Sequence, residues 1–352
     1  MKTQFLTVLL SVLLPLAVTS CDVHEFPDLP TKADFTLHLE FDTEMPLYKE
    51  VVQVKSRAAD NPDAYDARHI VSIHRLFPDG SYDRTADSTI VFTCDDVANL
   101  DCSRKLTLRE GQYNIFVWTD FVEEGTETDK FYSASEFSEI VLSDKNSYVG
   151  SCDFRDAFRG SRQSTVTVRK DEMSEPVNEV TVAMKRPLAK FKFVSTDYMV
   201  FVENMLKAEA LKNKESASSG VGSPESRGVN PDDYKVLFRY EGFMPCSYNM
   251  FTDKPADSWP GVSFEGAMRP NDKGEVDLGF DYVFVNGTEA GVSVRMEVYN
   301  AEGKLVASSP VIDVPLKRGR LTIVKGEFLT SIASGGVGIA PDFDGEYNVE
   351  IK

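Results

Sequence analysis

Three observations predict an all-β protein of two β-domains. Apolar and polar residues alternate with period two in one short segment after another, the mark of a half-buried strand. Turn residues such as Pro78-Asp79-Gly80, Glu110-Gly111 and Asn286-Gly287 separate those segments. No alternation of strand and helix patterns occurs, which argues against a parallel α/β sheet. At 352 residues the chain is longer than one ordinary domain, and its 42% apolar content is that of a globular protein.

The chain opens with Lys2 and an apolar run over residues 5–18, followed by Thr19, Ser20 and Cys21. A charged start, an apolar core and a small-residue exit make a secretory signal peptide over residues 1–20. The run is short for a bilayer span, and Pro15 interrupts it. Val18-Thr19-Ser20-Cys21 resembles a lipobox, in which Cys21 is lipidated and becomes the first residue. Several acyl chains, each methylene contributing roughly 0.8 kcal/mol, anchor such a chain durably to a membrane. Asp22, Glu25 and Asp28 follow, resembling export signals of surface lipoproteins. Residues 21–33 read as the lipidated tether, and the expected location is the outer membrane, on the cell surface.

The N-terminal domain is expected over residues 34–187. Residues 34–42 alternate, with Phe35, Leu37, Leu39 and Phe41 on one face. A long polar loop at 43–67 follows, then strands at 69–77, 88–93, 106–108, 112–118, 164–169 and 179–185. Pro187 marks the boundary. The C-terminal domain, 188–352, starts with a strand at 190–195. The stretch 200–214 favours helix, and a flexible loop is placed within 204–233, where 215–233 is rich in Gly, Ser and Pro. Strands at 234–240, 278–285, 292–299, 304–314, 321–324 and 347–351 complete the domain. Asn286-Gly287 is a strong hairpin signal and predicts that 292–299 pairs back on 278–285. Together the short strands predict a sandwich or barrel-like architecture.

With 38 Lys+Arg against 56 Asp+Glu the chain has a formal charge of −18, and no basic run occurs. Nucleic acid is therefore an unsuitable partner. The four histidines include no His-Glu-x-x-His pair, and His69 and His74 fall on opposite strand faces, so no metal site is expected. A strand-surface position is the ordinary reading for His38 and His74. No nucleophile elbow and no phosphate loop is present. The expected class is non-enzymatic, without cofactor.

Besides Cys21, cysteines stand at 94, 102, 152 and 246. Three pairings are open in an oxidising compartment. Cys94 with Cys102, flanking a short polar loop, is the favoured one, and buried free thiols are the alternative. Trp118 ends a strand and reads as core. Trp259, beside Pro260-Gly261, is the candidate glycan contact.

The chain also resembles the fimbrillin superfamily of type V pili, including fimbrial anchor-like lipoproteins and domains of unknown function. The resemblance covers nearly the whole mature chain. It rests on Ala67-Arg68-His69-Ile70-Val71-Ser72-Ile73 with Phe77-Pro78-Asp79-Gly80, and on the run from Leu108 through Gly111-Gln112-Tyr113 to Trp118-Thr119-Asp120. Met184-Lys185-Arg186-Pro187-Leu188-Ala189-Lys190-Phe191 resembles the crossing between the family's two domains. Phe280-Asp281-Tyr282-Val283-Phe284-Val285-Asn286-Gly287, Val314-Pro315-Leu316-Lys317-Arg318-Gly319 and Phe343-Asp344-Gly345 match later.

The resemblance implies two tandem transthyretin-like β-sandwich domains and, in pilus subunits, strand exchange. In shaft subunits a protease cuts after an arginine and frees the first strand's groove. Arg57, in Lys55-Ser56-Arg57-Ala58, is the possible processing site, with a solvated arginine as the ordinary alternative. An uncut, lipidated chain suits an anchor or accessory subunit, with other fimbrial subunits as partners. A surface glycan-binding lipoprotein is the alternative.

Overall fold

The computed structural model describes residues 31–46, 64–168, 177–218 and 229–330. Before the crossing at Pro187 run β1 (Lys32–Phe41), β2 (Tyr65–Arg75), β3 (Ser88–Cys94), β4 (Cys102–Arg109), β5 (Gly111–Glu123), β6 (Tyr132–Ser133), β7 (Ile140–Leu142), β8 (Phe158–Val166) and β9 (Glu179–Met184). After it run β10 (Leu188–Ser195), helix α1 (Tyr198–Ser218), β11 (Lys235–Tyr240), β12 (Phe243–Pro245), β13 (Ser247–Asn249), β14 (Lys254–Pro255), β15 (Ser258–Pro260), β16 (Ser263–Gly266), β17 (Arg269–Pro270) and β18 (Val276–Phe284). The series ends with β19 (Glu289–Tyr299), β20 (Leu305–Ser308), β21 (Ile312–Lys317) and β22 (Leu321–Gly326). The all-β class is as the alternation predicts.

The sheets repeat one connectivity. Sheet β4-β1-β9 faces sheet β3-β2-β5-β8, and sheet β17-β18-β10-β22 faces β16-β11-β19, whose β19 also pairs β20 and β21. In each half the first strand is central. β1 lies antiparallel to β4 and parallel to β9; β10 lies antiparallel to β18 and parallel to β22. A small sheet, β14-β13-β7-β6, joins strands from both sides of the crossing.

Two expectations are corrected. Asn286-Gly287 does turn the chain, with Gly287 at φ 73°, a conformation glycine adopts without steric cost. The returning β19 nevertheless pairs β11, β20 and β21, while β18 pairs β10 and β17. A tight turn fixes reversal of direction, and the apolar faces decide which sheet the strand joins. Second, the helix extends to Ser218, so most of the expected loop's first part is helical. Tyr198 and Phe201 bury its start against the core.

Sheet β3-β2-β5-β8 is covered on both faces. Val71, Ile73, Ile115 and Val117 point into the first sandwich, while Ile70, Phe116 and Trp118 join the core of the second. Nine consecutive residues of β2 are buried for this reason. His69 and His74, on opposite faces, are both buried, which corrects the surface reading of His74; His38 stays partly exposed.

Candidate functional site

The first strand is the chain's candidate site, because it fills a slot between two others. Its alternation puts Phe35, Leu37 and Leu39 into the core, all at 2% exposure or less. Each contributes roughly 1.5–3 kcal/mol by burial. Both strand edges are paired, Thr36 opposite Lys105 on β4 and opposite Glu179 on β9. Side chains close the ends. Asn178 Nδ2 donates to the Asp34 carbonyl (3.3 Å), and Asp101 Oδ1 accepts from the Phe41 amide (2.8 Å).

Beyond Phe41 the backbone meets Arg186. Its Nη1 donates to the carbonyls of Asp42 (3.2 Å) and Glu44 (3.0 Å), and its Nη2 to that of Thr43 (3.0 Å). Its Nε donates to both oxygens of Asp156, at 2.9 and 2.7 Å, and the guanidinium lies 4.6 Å from the Phe158 ring centre. Burial raises the Asp156 carboxyl, and Arg186 opposes that shift.

The seam between the sandwiches carries a second buried ion pair. Arg155 Nη1 donates to Asp281, which also accepts from Tyr148 Oη (2.8 Å) and Tyr240 Oη (2.6 Å). Desolvation raises the Asp281 carboxyl and both phenols. A third buried arginine, Arg68, donates to both oxygens of Asp120 at 2.9 and 2.7 Å. Apart from Arg155 Nη2, which has no partner, these groups satisfy one another in buried surroundings, an arrangement that fixes geometry.

Cys21 and Arg57 lie outside the described residues. Cys94 and Cys102 are free thiols in the structure. They end β3 and begin β4, on opposing sheets, and Cys102, like Ile90 and Phe92 of β3, packs on the first core. Burial, with the nearby Cys94 thiol adding to it, pushes Cys102 up to about 11. An oxidised bond would staple the two sheets beside β1. Thiol titration of unreduced, unfolded protein from an oxidising compartment is expected to find two titratable thiols rather than four, with Cys94 and Cys102 unreactive. Four titratable thiols would refute the pairing. Removing the bond is expected to cost about 2–3 kcal/mol for so short a loop.

Trp259 opposes Met244 in the β12–β15 pair and packs partly against the core. A separate open groove of about 490 Å³ lies on the outer face of β11 and β19, lined by Asp233, Lys235, Leu237, Arg239, Tyr299 and Asn300 among others. The sequence reading missed Arg186, Asp156 and Asp281 as paired groups. The Lys-Arg-Pro step at the crossing was the available signal for the first.

A family model described as a family of unknown function, DUF6562, matches residues 30–352. No curated protein matches the chain. Among solved structures, a fimbrial anchor protein from Porphyromonas gingivalis overlays with TM-score 0.37 at 12% identity, over 78% of this chain and 82% of that one. A fimbrial assembly protein from Parabacteroides distasonis overlays with TM-score 0.36 at 11% identity, over 84% and 90%. Overlays with TM-scores this low carry no functional argument.

Proposed function

The chain belongs to the family of unknown function DUF6562, so its role must come from its own residues, and we propose that it is a non-catalytic, lipid-anchored surface protein. It serves as a fimbrillin-like anchor or accessory component of a type V pilus and joins fimbrial partners by β-strand addition. Lipid on Cys21 holds it at the outer membrane, facing outward.

One observation carries this reading: β1 is an insert in the middle of its sheet, paired with β4 over residues 32–39 and with β9 over residues 36–41, and buried on one face. A central first strand is a unit that a partner strand can replace through the same backbone bonds and alternating pockets. The order of the sequence adds to it, since Arg57 falls between β1 and β2. Cutting there would release lipid and first strand together. Without the cut, the outer edge of β4, whose only partner among the described residues is β1, is the surface offered to a partner strand.

Intact mass of the protein extracted from cells tests the role. The expected species begins at Cys21 and carries acyl chains. A species beginning at Ala58 without lipid would overturn the anchor role and make the chain a polymerising subunit. An unlipidated chain beginning elsewhere would remove the anchoring altogether.

A further inference from the structure

Arg186 is placed where the strand slot, the exit of β1 and the seam between the sandwiches meet. It follows β9, one wall of the slot, and precedes β10, the first strand of the second half. Four of its five N–H groups are used: Nε on Asp156, and three on the consecutive carbonyls of Asp42, Thr43 and Glu44. The residue is 9% exposed. Its own backbone carbonyl accepts from Arg318 Nε (3.1 Å), which ties it to the second half. If the segment after β1 leaves, three part-buried donors lose their acceptors at once, and a donor left without a partner costs its desolvation to the extent that water cannot reach it. Asp156 alone cannot replace them, because both its oxygens already face Nε.

We propose that Arg186 is a positioning residue of the strand slot, holding the chain's own first strand in place and setting the form of any strand that replaces it. A replacement must run parallel to β9, bring apolar side chains to the three positions of Phe35, Leu37 and Leu39, and continue for three residues whose carbonyls meet the guanidinium. A strand that stops where β1 stops leaves Arg186 unsatisfied and is rejected. The inference rests on the strand-addition reading for its purpose, while the hold on β1 stands on the bonds themselves.

Hydrogen exchange on the full mature chain tests it. In Arg186→Ala the amides of β1 are expected to exchange about tenfold faster or more, as loss of three part-buried bonds to the segment that follows it requires, with β2 and β5 unchanged. Arg186→Lys, which keeps a charge for Asp156 and loses the forked geometry, is expected to fall between. It also provides the same contrast should the alanine variant not fold. Unchanged β1 protection would overturn the inference and leave the strand-addition reading intact, since that reading stands or falls by the mass at Cys21 or Ala58. Equal acceleration over β1, β2 and β5 would also overturn it, making Arg186 a general seam residue.

Discussion

Asp281→Ala is expected to lower the stability of the folded chain by about 3–5 kcal/mol, the range for removing one partner of a buried ion pair. The carboxylate is 1% exposed and Arg155 is 2% exposed. Truncation leaves the guanidinium charged in a dry seam. It also strips the acceptor from the hydroxyls of Tyr148 and Tyr240, and each orphaned group adds to the loss. Nη2 of Arg155 already has no partner, so the pair cannot absorb a further deficit by rearranging its donors. Denaturant unfolding followed by tryptophan emission measures the change, because Trp118 sits on this side of the central sheet and packs edge-on or tilted against Tyr132, Tyr248 and Phe284. In a Tyr240→Phe background the same truncation is expected to cost less, since one of the orphaned groups is gone. A loss below about 1 kcal/mol would mean that water enters the seam and solvates Arg155.

The seam is also where sequence reading reaches its limit. Alternation located most strands, because one face of β1, β9, β11 and β19 is apolar and the other polar. β2 defeated it. Its Asp66, Arg68, Ser72 and His74 alternate as a polar face and His69 stands on the other, yet every one is buried. Four are satisfied by a partner far along the chain or around the turn, Asp66 by the Gly125 amide, Arg68 by Asp120, His69 by Thr119 and His74 by the Asp83 carbonyl, while Ser72 pairs with His74 itself. Polarity reports solvent only when no such partner exists, and a partner is invisible without the register. Once β2 is set against β5, Arg68 falls opposite Asp120 and His69 opposite Thr119, so complementary pairs across adjacent strands were the recoverable signal. The slot shows the same division. Phe35, Leu37 and Leu39 announced the buried face of β1. The parallel partner β9, about 140 residues later, and the hold of Arg186 depend on topology, to which local patterns are blind. The Asn286-Gly287 turn gave the reversal of direction and not the sheet that the returning strand joins.

Acid is expected to weaken the fold through His69. This imidazole is fully buried between Phe41 and Phe92, with ring centres 5.8 and 4.9 Å away, and its Nδ1 lies 2.9 Å from Thr119 Oγ1. Its Nε2 lies 3.9 Å from Cys102 Sγ, and among the described residues burial is the cause that acts on its charge. Burial lowers its pKa from 6.5 to about 4. Between those values the unfolded chain binds a proton that the folded chain refuses. Stability is therefore complete above pH 6.5 and falls as the pH drops towards 4, where the loss amounts to about 3 kcal/mol. Carboxylates contribute their own slopes over part of this range, so the comparison that isolates the effect is with His69→Asn. Its amide can occupy the Nδ1 position opposite Thr119 without titrating. The wild-type minus variant stability is expected to decline between pH 6.5 and 4 and to level off below. Parallel slopes for the two proteins would mean that His69 accepts its proton in place. The consequence reaches the slot, because Phe41 ends β1 and Cys102 begins β4. A protonated ring at that point charges the corner where the first strand, its antiparallel neighbour and the central sheet meet, so β1 is the strand expected to loosen first.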